Sequence, residues 1–167
     1  MAYSTYDLMN SIFSSMLPNL NGIMSKAEAD AEARSIDPQV FLGARLAPDM
    51  FDFTRQVQVV TDQVKGGMSR LAGVDPPRWE DNEKSFADLR ARVDKTIAYI
   101  KTFEPGQYEG AETREVELKF PGVTFKFSGR DYLLNFLLPN FYFHMTAAYA
   151  ILRHNGVALG KRDFLGG

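Results

Sequence analysis

The chain has 167 residues, 45% hydrophobic and 24% charged, with a formal net charge of −2, the proportions of one globular domain with a sizeable core. No excess or block of basic residues is present, so a nucleic-acid binder is not expected. Cysteine is absent, which excludes disulfides, thiolate catalysis and cysteine metal sites and suits a cytoplasmic protein.

The N-terminus has no basic region ahead of an apolar run, so no signal peptide is expected. A first helix is predicted from about Thr5 to Leu20, with Tyr6, Met9, Ile12, Phe13, Met16, Leu17 and Leu20 at helical spacing. Pro18 should bend or end it. Ser25-Lys26-Ala27-Glu28 has the pattern of a capping box and predicts a short exposed helix to Arg34. Asp37-Pro38 reads as a cap followed by proline at the first helical position, with one turn of helix to Gly43.

Pro48 starts the second long helix in the same way, with Asp49 as a cap. Met50, Phe53, Val57, Val60, Val64, Met68 and Leu71 form its core stripe. Gly66-Gly67 weakens its last turns and Gly73 ends it. Residues 75 to 81, with Pro76, Pro77 and Trp79, read as a loop. The third helix begins near Ser85, carries Phe86, Leu89, Val93, Ile97 and Ile100, and stops at Pro105.

From Glu115 to Phe127 the period changes to two, which predicts a hairpin around Pro121-Gly122. Val116, Leu118, Phe125 and Phe127 should share its buried face. Pro-Gly suits a type II turn better than the primed turns of short hairpins, which points to a loop longer than two residues. Ser128 caps the fourth helix, Pro139 should kink it, and Gly156 terminates it. Residues 132 to 152 carry no formal charge and are long enough to span a bilayer. Asn135, Pro139, Asn140 and His144 would be unsatisfied or penalised in lipid, so a buried helix, or one shared with a partner subunit, is expected instead of a membrane span. The predicted architecture is all-α: an up-down four-helix bundle with a small β-hairpin before the last helix, in a single domain covering residues 1–167.

At "LGARLAPDMF" (Leu42 to Phe51) and "LPNFYFHMTAAYAILRHNGVALGKRDFLG" (Leu138 to Gly166) the chain resembles a bacterial domain-of-unknown-function family. That family is grouped with the DinB/YfiT-like four-helix-bundle candidate metalloenzymes. The resemblance covers nearly the whole chain and implies the DinB/YfiT-like bundle and a homodimer, with no activity to carry over. The wider group binds a divalent metal through one histidine of the second helix and two of the last helix, four residues apart. Here no histidine precedes His144, and the positions four either side of it are Asn140 and Ala148. His154 is ten residues on, ~80° around and ~15 Å along the helix, so the two histidines cannot chelate one ion.

His144 is therefore either a metal ligand or acid–base group facing a pocket, or a neutral core histidine satisfied by neighbours. The second reading is preferred, since one histidine without partners is a weak metal signal. His154 and Arg153 complement the carboxyl-end dipole of their helix, and Asp49 and Asp52 oppose the dipole of theirs. Tyr142, Met145, Tyr149 and Leu152 make a second stripe suited to core or subunit interface. GxGxxG and P-loop patterns are absent.

The residues expected to bind a small ligand are His144, Asn140, Asp52, Gln56 and Tyr149. No metal cofactor is expected. A divalent-metal hydrolase or thiol transferase of the DinB-like kind is the alternative, using Mn²⁺ or Mg²⁺ on His144 with Asp49 and Asp52. The predicted partners are a second copy of the chain and a small molecule, with no nucleic acid and no membrane.

Overall fold

A computed structural model describes residues 4–167, so the first three residues of the expected domain lie outside the described residues. Four long helices form the bundle: α1 (Thr5–Ala33), α3 (Phe53–Leu71), α4 (Phe86–Ile100) and α6 (Leu138–His154). Around the ring, α1 packs on α4 and α6, and α3 packs on the same two. The connections from α1 to α3 and from α4 to α6 thus cross the bundle diagonally. The first carries the short α2 (Pro38–Leu42). The second carries a 3₁₀ turn (Pro105–Tyr108) and a hairpin of β1 (Glu115–Phe120) and β2 (Val123–Ser128). Phe13, Phe53, Phe86, Phe141 and Tyr132 are among the large side chains fully buried between these elements.

The first helix does not end near Pro18 but runs on as one helix to Ala33. Leu17, Leu20, Ile23, Met24, Ala27 and Ala31 are all buried and keep the helical period past the proline. Their packing outweighs the ~3 kcal/mol that an interior proline costs. Ser25 is accordingly no cap: its hydroxyl donates to the Asn21 carbonyl one turn back.

The second long helix starts at Phe53 and not at Pro48. Asp52 is its cap, with a carboxylate oxygen accepting from Arg55 N at 2.8 Å. Residues 44 to 52 form a compact loop closed by Phe53 N donating to the Ala44 carbonyl at 3.0 Å, with Arg45 bridging the Met50 carbonyl and Asp52. Asp49 is exposed in that loop, and Met50 lies outside the core stripe. The expected terminators hold. Gly73 and Gly156 both have φ in the left-handed region, and the residue after each donates back to a carbonyl five residues earlier.

The hairpin has the expected register, Val116 opposite Phe127 and Leu118 opposite Phe125, but its turn is shorter than expected. Phe120 pairs with Val123, so Pro121-Gly122 alone makes the turn, with Gly122 at φ 81° as a type II turn requires. Burial is confined to β1. Val116 and Leu118 are covered, whereas Phe125 is 46% exposed and Phe127 half-buried. Leu118→Lys should therefore destabilise the fold by ~3 kcal/mol, as an unpaired charge beneath β1. Thr124→Lys, on the exposed face, should change stability by less than ~0.5 kcal/mol. Urea unfolding checks the pair, and equal effects would contradict the assignment of faces.

The last helix opens at Ser128, which caps α5 (Gly129–Asp131), and passes through a π-helical segment (Tyr132–Leu137) into α6. The π segment sits directly ahead of Pro139. That proline has no N–H and would press its ring on the carbonyl four residues back, and the wider turn relieves both problems. A short α7 (Lys161–Leu165), unexpected from the sequence, folds back on α1 through Lys26–Asp163 and Asn19.

Candidate functional site

The N-terminal turn of α3 and the middle of α6 meet at His144. Its Nδ1 lies 2.6 Å from Gln56 Oε1, and the Gln56 amide nitrogen donates to the Phe51 carbonyl at 3.2 Å. This second bond fixes which way the amide points. Oε1 must accept, so Nδ1 carries the proton, and a neutral ring then holds its lone pair on Nε2. Nε2 has no hydrogen-bond partner among the described residues. It is not one of the fully enclosed unpartnered polar atoms there, which are Asn21 Oδ1 and Arg90 Nη1, so it borders solvent.

The surroundings keep the imidazole neutral. Burial pushes its pKa below the ordinary histidine value, and the positive Arg55 pushes in the same direction. The residue as a whole is 9% exposed. Phe51 stacks on it at a centroid distance of 6.2 Å and an interplanar angle of 20°, while Phe143 meets it edge-on at 5.1 Å. These two phenylalanines are 47% and 57% exposed. A basic nitrogen thus opens at the surface between two bare aromatic rings.

The structure brings Gln56 and His144 together, with Asp52 one turn before Gln56 on α3, but disperses the other expected site residues. Asp52 is occupied by capping and by Arg45 at 3.4 Å. Asn140 donates to the Phe136 carbonyl of its own helix at 2.7 Å and makes no bond to His144. Tyr149 packs edge-on against Phe164 of α7, 5.9 Å between centroids, on another part of α6. His154 is exposed in the last turn of α6. Among the described residues, no group of three or more His, Cys, Asp or Glu side chains could hold a metal ion. The residues present therefore do not fit the DinB-like divalent metal: Gln56 is bonded to His144, and Asp52 is committed to Arg55 N and Arg45. Phe51 and Phe143 are absent from the expected site residues: Phe51 reaches the histidine from a loop, which no spacing encodes, and Phe143, next to His144 in the chain, carries no sign of its exposure.

The family described as Domain of unknown function (DUF1993) matches residues 5–165. The chain belongs to this family. A crystal structure of a DinB family member protein from Shewanella denitrificans is similar to this DUF1993 chain at 41% identity and a TM-score of 0.88. The likeness covers 97% of this chain and 92% of that one, and supports the DinB-like helical bundle. No curated protein matches the chain. No helix of the described residues is long and apolar enough to cross a membrane.

Proposed function

We propose that this DUF1993 chain is a homodimeric, cytoplasmic bundle that binds a small ligand or partner group at His144 without a metal. The observation that carries the reading is the Gln56–His144 pair, which holds the proton on Nδ1 and leaves the Nε2 lone pair outward. The matching ligand offers a hydrogen-bond donor to Nε2 and a flat or apolar surface to Phe51 and Phe143. Asp52 positions the site by capping α3 one turn before Gln56. The cytoplasmic placement rests on the cysteine-free composition.

The dimer is supported by the outer face of α6. Pro139, Tyr142 and Thr146 follow one another at helical spacing and are all exposed, and Leu134 extends the apolar surface upstream. Contiguous apolar surface of this kind marks association sites. Sedimentation at micromolar concentration should give a species of twice the 18.8 kDa chain mass, and a clean monomer would end the dimer proposal.

Metal content separates ligand binding from the metalloenzyme alternative. Protein purified without added metal should contain far less than one equivalent, and EDTA should leave its melting temperature unchanged, since an empty site adds no linkage stability. About one metal per chain, lost in His144→Ala but retained in His154→Ala, would replace this proposal with a divalent-metal enzyme.

A further inference from the structure

A groove of about 1050 Å³ runs between the C-terminal half of α3, the loop from Gly73 to Trp79, and β1. None of its lining residues belongs to the His144 site. We propose that this groove binds a small oxyanion, a carboxylate or a phosphate group, through Arg70, with Arg78 and Arg114 supplying further positive charge.

Charge pairing is the first support. Of the acidic side chains along the groove, Asp62 is paired with Lys65 and Arg92, Glu115 with Lys126, and Glu117 with Lys119. Only Asp75 is left against Arg70, Arg78 and Arg114, none of which has a carboxylate partner among the described residues. The groove is therefore locally positive in a chain whose net charge is −2.

The two inner guanidiniums are held in place without being neutralised. Arg114 donates to the carbonyls of Leu71, Gln107 and Glu109, which orient it but leave its charge uncompensated. Arg70 is half-buried, and its one side-chain hydrogen bond is to the Tyr132 hydroxyl at 3.3 Å. A guanidinium has five donors in a planar fork, so most of Arg70's remain for a ligand, and the fork suits bidentate carboxylate or phosphate.

Gly66 is the second support. A Cβ at this helical position would lie 2.3 Å from Arg70 Nη1 and 3.3 Å from its Cζ, so the end of the guanidinium occupies the space where a side chain would stand. Glycine inside a helix costs ~1 kcal/mol relative to alanine. Here it gives Arg70 its seat in the groove wall. The volume is that of a site for a metabolite-sized molecule.

Calorimetric titration with inorganic phosphate and with succinate, at constant ionic strength, tests this. At least one anion should bind saturably with a Kd of about 1 mM or tighter. Phosphate alone points to phosphate esters as ligands, and succinate alone to carboxylates. Arg70→Gln should weaken binding about tenfold or more, the loss expected for one charged hydrogen-bond donor. Gly66→Ala keeps every charge, and only the flexible end of Arg70 must move, so it should weaken binding similarly while the melting temperature holds or rises. Lys161→Gln, which removes a charge on α7 away from the groove, should leave the affinity unchanged. No saturable binding of either anion, or wild-type affinity in Arg70→Gln, would overturn the proposal.

Discussion

Arg92→Leu is expected to destabilise the protein by ~3–5 kcal/mol, the range for removing one partner of a buried ion cluster. The Arg92 side chain on α4 is 3% exposed and reaches across to α3 and the loop ahead of α4. Its Nε donates to Thr61 Oγ1 at 2.7 Å, one terminal nitrogen to Glu83 and the Glu80 carbonyl, and the other to Asp62, with Asp81 also 3.0 Å from it. Burial pulls its pKa down, but Glu83, Asp62 and Asp81 outweigh that and raise it, so the charge is fixed in the folded state. Leucine would fill much of the volume and leave Glu83 unpaired in a site where it is 9% exposed. Melting should fall by about 10 °C for a domain of this size. A loss no larger than that from Lys126→Gln, which breaks an exposed pair on the hairpin, would mean that Arg92 does not hold the loop to the bundle.

Gly129→Ala should be nearly as damaging, at ~3 kcal/mol or more, by overpacking. A Cβ there would stand 1.8 Å from the Ala111 carbonyl oxygen and 2.9 Å from its carbon. This neighbour is backbone and cannot swing aside. Ala111 is fully buried, its N–H donates to Tyr108, its carbonyl accepts from Arg114 N, and Arg130 N is bonded to Glu112. Relief would have to separate the start of α5 from the segment that leads into the hairpin. Gly22→Ala is the counterpart: a Cβ on this exposed turn of α1 meets nothing within 4 Å, so alanine should stabilise by up to ~1 kcal/mol. Chemical denaturation of both variants checks the contrast, and a similar sign at the two sites would contradict it.

Where local rules and packing agreed, the chain was legible before its structure. Ser85 followed by Phe86, Leu89, Val93 and Ile100 is a cap and a stripe, and α4 is that helix. Pro18 and Ser25 misled because a proline penalty and a capping pattern are local terms, while the burial that carries α1 past both depends on α4 and α7, elements distant in the chain. The start of α3 offered two aspartates within four residues. Asp52 won because the loop from Ala44 closes onto Phe53, a contact no periodicity encodes. For the site, His144 was expected inward and Gln56 was among the candidate ligand residues, although spacing leaves Gln56 off the core stripe of its helix and the structure buries it. What spacing could not supply was the partner of each side chain. Asn140 turned to its own backbone, Tyr149 turned to a helix not foreseen, and Phe51 arrived from a loop. The glycines at 66 and 67 read as weak points of α3, yet a Cβ at either would run into Arg70 or Leu137.

The protonation state of His144 tests the account most directly. Long-range nitrogen–proton NMR correlations of ¹⁵N-labelled protein at pH 7 distinguish the two ring nitrogens. The expected pattern is a neutral imidazole protonated at Nδ1, with an unprotonated Nε2, unchanged by EDTA and converted to a mixture of tautomers in Gln56→Leu. A ring protonated at Nε2, or Nε2 signals that EDTA displaces, would contradict an amide-held histidine that presents a free lone pair to its ligand.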